Sequence, residues 1–203
     1  MSSDSHRSVF LDTWTDTSAH MFDSVVAANR AAFAAFGLDT DDSKEDDPAD
    51  GIEPAEDLPG WESDGTAQAR DELAVGDSFE FTKSVSDDDI RRFAVVSGDT
   101  NPLHLDDEFA EGTRFGGRIA HGTLVSGLIS AALARIPGLV VYLSQDLEFH
   151  NPVRVDETLT ATCEIVEDLG NSQYRLATHV SNADGQVVID GEAVVLVDPV
   201  PEA

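Results

Sequence analysis

Lysine is almost missing from this chain. Lys44 and Lys83 are the only ones, and all basic residues together number 12 against 40 Asp and Glu, for a formal charge of −28. A surface that negative repels nucleic acid and anionic membranes, so neither is an expected partner. The acidity fits a surface made for a basic partner, or adaptation to high salt. In the second case screening removes the repulsion among carboxylates, which hold a hydrated ionic shell. The even spread of acidic residues and the scarcity of lysine favour high salt. Cysteine is limited to Cys163, which excludes an intramolecular disulfide. It lies in Leu159-Thr160-Ala161-Thr162-Cys163-Glu164-Ile165, where apolar and polar residues alternate. That pattern makes it a small buried hydrophobe on a strand rather than a nucleophile. No uncharged apolar run is long enough to cross a bilayer. The first residues are polar and lack the apolar core of a signal peptide, so a soluble cytoplasmic protein is expected. His6, His20, His150 and His179 have no metal-ligand spacing among themselves, and no metal site is expected.

Three segments follow from the patterning. Within residues 1–38, the stretch 17–36 reads as an amphipathic helix, with Met21, Phe22, Val25, Val26, Ala28, Ala32, Phe33 and Phe36 on one arc and Gly37 as its stop. Asn29 lies within that arc. It sits either at the edge of a helix packed on its own domain, or at the centre of a docking helix whose register it sets. Residues 39–72 are crowded with Asp and Glu, contain Pro48, Pro54 and Pro59, and have too few apolar residues to offset ordering, so they are expected to be a flexible acidic linker. Trp61 is a candidate single anchor within it.

Residues 73–200 have the pattern of a folded domain. A strand over 77–85 precedes a helix capped by Ser86, with Asp87, Asp88 and Asp89 in its first turn and Gly98 at its end. Residues 105–118 are expected to be irregular. A helix over 123–135 ends at Pro137-Gly138, and four strand-like runs follow at 139–149, 157–167, 173–181 and 186–197. Strand, helix, helix and then a meander of strands describes an α+β domain.

The chemistry concentrates in Ser97-Gly98-Asp99-Thr100-Asn101-Pro102-Leu103-His104, followed by Ala120-His121-Gly122-Thr123-Leu124. Asn101-Pro102 turns the chain, because proline fixes its own φ and pushes the preceding residue out of the helical region. A carboxylate and an imidazole across such a turn can hold one water and pass protons both ways. Alone, Asp99 reads as a loop aspartate bonded to its own backbone, and His104 as a structural histidine. Their fixed spacing favours catalysis. Gly122 opens a helix of small apolar residues, where free N–H groups could meet a developing oxyanion. Ser126 and Ser130 interrupt that helix, and both can back-bond to a carbonyl one turn earlier.

Phe93, then Ser-Gly-Asp-x-Asn-Pro-Leu-His, then Ala-His-Gly-x-Leu together resemble the signature of the (R)-specific enoyl-CoA hydratases of the MaoC-like dehydratase family, which have the hot-dog fold. The resemblance runs over residues 73–200 and leaves the N-terminal segment uncovered. It implies an antiparallel sheet wrapped around one long central helix, and hydration of a trans-2-enoyl-CoA to an (R)-3-hydroxyacyl-CoA. Such a product feeds polyhydroxyalkanoate synthesis or fatty-acid metabolism. The resemblance implies Asp99 and His104 as the catalytic pair and the Gly122 N–H as oxyanion donor. By the same resemblance Ser130 borders the site; Asn101, which also caps the turn, and His121, which also shapes the turn before Gly122, are the other candidate substrate-binding residues. No cofactor is implied, since the CoA thioester is the substrate, and a homodimer is expected. Two alternatives stand beside this reading. One is a dehydratase acting on an acyl-carrier protein or a branched dicarboxyl-CoA. The other is a non-catalytic acyl-CoA-binding or granule-associated protein, because the 17–36 stretch is similar in composition to the helices of phasins that coat polyester granules.

Overall fold

The computed structural model describes residues 57–201. The amphipathic stretch 17–36 and most of the acidic run after it lie outside the described residues.

Strands form where apolar and polar residues alternate. In β2 (Ser78–Val85), Phe79, Phe81 and Val85 face inward and are buried. In β4 (Glu157–Gly170), Leu159, Ala161, Cys163 and Ile165 are buried while Thr158, Thr160, Thr162 and Glu164 between them are not. β5 (Gln173–Asn182) contributes Leu176, Thr178 and Val180, and β6 (Val187–Asp198) contributes Ala193, Val195 and Val197. With β1 (Glu62–Gly65) and β3 (Leu139–Phe149), these make one antiparallel sheet in the order β1-β2-β4-β5-β6-β3. Period-two alternation places all inward residues on one face, and that face needs a cover.

The cover is a helix. It follows three shorter ones: α1 (Asp87–Ser97), α2 (Pro102–Leu105) and α3 (Asp107–Glu111). Helix α4 (Gly122–Leu133) lies against β2, β4 and β5 and buries Val125, Leu128, Ile129, Ala132 and Leu133. Each large side chain buried in this way stabilises the fold by roughly 1.5–3 kcal/mol. Cys163 is part of this core, as its strand pattern predicts. Its thiol lies 3.8 Å from the Ile129 carbonyl, and burial pushes its pKa up to about 12.

Two stretches differ from the sequence expectation. Residues 62–72, placed in the flexible linker, are part of the domain: Glu62–Gly65 pairs with β2, and a turn of 3-10 helix spans Arg70–Glu72. The Trp61 ring stands edge-on to Phe81 at 5.3 Å, so the single expected anchor brings its neighbours into the sheet. Residues 105–118, expected to be irregular, contain α3, whose first turn is capped by the Asp106 carboxylate accepting from the Phe109 N–H.

Candidate active site

The loop between α1 and α2 is built by local caps. Ser86 and Asp89 form a reciprocal capping box at the start of α1. Gly98 ends that helix at φ 77°, a conformation that favours glycine. The Asp99 carboxylate then accepts from the Asn101 N–H at 3.2 Å, and the Asn101 side chain accepts from the Leu103 N–H at 3.1 Å. With Pro102 at its first position, α2 makes one turn and delivers His104 into the interior, where it is 8% exposed. Asn101 itself is exposed and serves as this cap.

His104 Nδ1 lies 2.8 Å from the Ile119 carbonyl, to which it donates. His121, the residue before α4, is 1% exposed and donates from Nε2 to the Asp99 carbonyl at 3.0 Å. The two imidazoles stack, with centroids 3.9 Å apart and planes 31° apart, and the Phe93 ring centroid lies 4.9 Å from that of His121. Among the described residues, His121 Nδ1 is buried without a hydrogen-bond partner. A carboxylate oxygen of Asp99 and one ring nitrogen from each histidine all lie within 4.8 Å of one another. That span can be bridged by one water.

His104 and Gly122 both line a cavity of about 290 Å³, walled mainly by Phe115, Ile119, Val125, Phe149, Val153 and Ile189. Gly122 is the first residue of α4, so its N–H has no intrahelical acceptor. A Cβ at Gly122 would lie 2.7 Å from the Phe149 ring, so glycine is what allows that ring to cover the helix N-terminus.

The structure thus gathers Asp99, His104, His121 and Gly122. Ser130 is exposed and does not line the cavity. It is eight residues beyond Gly122, about 12 Å along the helix axis. Sequence reasoning missed Arg118 and Phe149. Arg118 pairs with Asp87 on α1 and Asp107 on α3, and reaches the His104 carbonyl at 3.4 Å. Its bonds to Asp107 and Asp87 raise its own pKa, while hydrogen bonds from Arg91 and Arg118 hold the Asp87 carboxyl below its ordinary value. No local pattern marks these partners, which come from three separate elements.

A family model described as a MaoC like domain matches residues 71–186. The (R)-specific enoyl-CoA hydratase of Rhodospirillum rubrum is 40% identical over 129 residues, which are 63% of this chain and 90% of that protein. The 3-hydroxybutyryl-CoA dehydratase of Methylorubrum extorquens is 43% identical over 136 residues, 66% of this chain and 86% of its own length. Among solved structures, the unliganded R-hydratase of Pseudomonas aeruginosa superposes with a TM-score of 0.62 at 41% identity, covering 66% of this chain and 91% of that one.

Proposed function

This chain belongs to the MaoC-like dehydratase family, and from that premise we propose that it is an (R)-specific enoyl-CoA hydratase. It is a hydro-lyase of hot-dog fold that adds water to a trans-2-enoyl-CoA to give an (R)-3-hydroxyacyl-CoA. The observation that carries this reading is the convergence of Asp99 and His104 beside a cavity that Gly122 also lines.

In the proposed step, Asp99 and His104 hold one water by accepting its two hydrogens. The water oxygen adds to C3 of the enoyl thioester. One of the two groups takes its proton, and a proton is delivered to C2, so both parts of the water end on the product. Between these events negative charge builds on the thioester oxygen, where the Gly122 N–H donates. His121 acts as a positioning residue, fixing the Asp99 backbone and the plane of His104. The reaction needs no cofactor, because CoA is part of the substrate.

A second copy of the chain is the proposed partner for the edge of β3, which no other strand pairs among the described residues. That strand ends the sheet with Leu139, Val141, Tyr142, Leu143 and Phe149 substantially exposed, an edge that a symmetric partner strand would pair and cover. Among the described residues no helix is long and apolar enough to cross a membrane. The 17–36 stretch is assigned to location, docking the enzyme on a polyester granule or a granule protein.

The test is hydration of crotonyl-CoA in molar KCl, followed by chiral separation of the 3-hydroxybutyryl product. The (R) product is expected. The (S) product, or no turnover by folded protein, would refute the reading.

A further inference from the structure

Cations are scarce in this protein, and nearly all of those among the described residues are engaged. Among the described residues, Lys83, Arg91, Arg92, Arg118, Arg135 and Arg175 pair with Asp or Glu. Arg70 bonds to the Val197 carbonyl and the Ser172 hydroxyl. Arg154 donates to the carbonyls of Gly117 and Phe115, holding the loop that leads to Ile119. Arg114, in that same loop, differs from all of them. It is exposed, among the described residues it makes neither an ion pair nor a side-chain hydrogen bond, and its guanidinium lies over the Phe115 ring at 4.8 Å from the centroid. It also lines the cavity shared by His104 and Gly122.

Arg70 and Arg154 also lack a carboxylate but spend their donors on backbone carbonyls and a hydroxyl, whereas the Arg114 guanidinium has no such acceptor among the described residues. A guanidinium resting on an aromatic face keeps its N–H donors at the edge, free for a planar or tetrahedral anion. The catalytic reading places the reacting carbons between His104 and Gly122, so the thioester carrier must leave through the cavity mouth. CoA brings phosphates to that mouth, against the repulsion of a strongly negative protein.

We propose that Arg114 is the phosphate-binding residue for the CoA portion of the substrate, and that it selects a phosphate-bearing carrier over a bare pantetheine arm. This inference rests on the hydratase reading for its reaction, but not for its binding test. An acyl-chain carboxylate is the other anion an arginine here could take. The two sources separate experimentally, because crotonyl thioesters have no acyl carboxylate.

The experiment compares wild type, Arg114→Gln and Arg114→Lys with crotonyl-CoA, crotonyl-3′-dephospho-CoA and crotonyl-pantetheine in molar KCl, alongside calorimetric titration with free CoA. Arg114→Gln should lower kcat/KM for crotonyl-CoA by about tenfold, mainly through KM. The preference of wild type for crotonyl-CoA over crotonyl-pantetheine should shrink by the same factor. Arg114→Lys should recover part of the loss, since it restores charge without the fork. The dephospho substrate tells which phosphate is held. If Arg114→Gln weakens both thioesters equally, or neither, the assignment is overturned. If wild type hydrates no thioester, the hydratase reading fails and the titration decides alone. Free CoA bound by wild type and released by Arg114→Gln supports the assignment, whereas equal binding, or none, overturns it.

Discussion

A carbonyl oxygen can only accept a hydrogen bond, and this fixes the proton on both histidines of the site. His104 must carry its hydrogen on Nδ1 to reach Ile119, which leaves Nε2 as a lone pair when the ring is neutral. His121 must carry its hydrogen on Nε2 to reach Asp99. His104 is therefore set up as an acceptor before substrate arrives, as the proposed water-holding role requires. Asp99→Asn and His104→Ala are each expected to lower kcat for crotonyl-CoA by at least about a hundredfold, the usual scale for losing a general acid or base. Circular dichroism should be unchanged, and near-normal turnover by either variant would remove the mechanism. His121 gives a finer test. His121→Gln retains a donor for the Asp99 carbonyl, whereas His121→Phe retains a ring but no donor. If the hydrogen bond positions the loop, the Phe variant should lose on the order of ten- to a hundredfold in kcat and the Gln variant clearly less. Equal losses, with KM rather than kcat affected, would mean that His121 only fills space.

Among elements, β3 and β6 show what a single strand position can demand. Gly191 lies in the interior of β6, and a Cβ there would sit 2.0 Å from the Asp146 carbonyl oxygen of β3. The carbonyl is backbone and a Cβ is fixed directly to the backbone, so neither can swing aside as a side-chain tip would. Gly191→Ala should push β3 away from β6, with a fall in melting temperature on the order of 5 °C or more, as expected for overpacking in a domain of this size. Differential scanning calorimetry reads this directly, and an unchanged melt would show that the ladder absorbs the methyl group. The helices depend on their ends instead. The capping box of α1, the αL glycine after it and the Asn101-Pro102 cap of α2 together aim the loop that carries Asp99. Arg118 then ties α1 and α3 to the backbone of His104.

For the molecule as a whole, charge is the dominant variable. At a formal charge of −28, the carboxylates repel one another at low ionic strength, and salt screens that repulsion. The melting temperature and the hydratase activity are both expected to rise from low salt to molar KCl and to decay on dilution. A melt that is the same at both ends of the series would contradict adaptation to high salt and return attention to a basic partner.

By itself, the sequence determined most of the elements and singled out the candidate site residues. The alternation in β2, β4, β5 and β6, the Ser86 cap, the Gly98 stop and the ordered Asp99, Asn101, Pro102 and His104 are all local signals, set by periodicity, φ preference and hydrogen bonds within a few residues. Tertiary structure decided what those signals leave open. The stack of His104 on His121, the placement of Arg118, the close approach of Asp146 to Gly191 and the recruitment of residues 62–72 by Trp61 each join segments far apart in the chain. The sequence offered Trp61 as an anchor but not the strand beside it, because an acidic run with one large aromatic looks like a tether until a ring such as Phe81 is there to receive it. Local patterns say what a residue prefers, and only packing says which partner it meets.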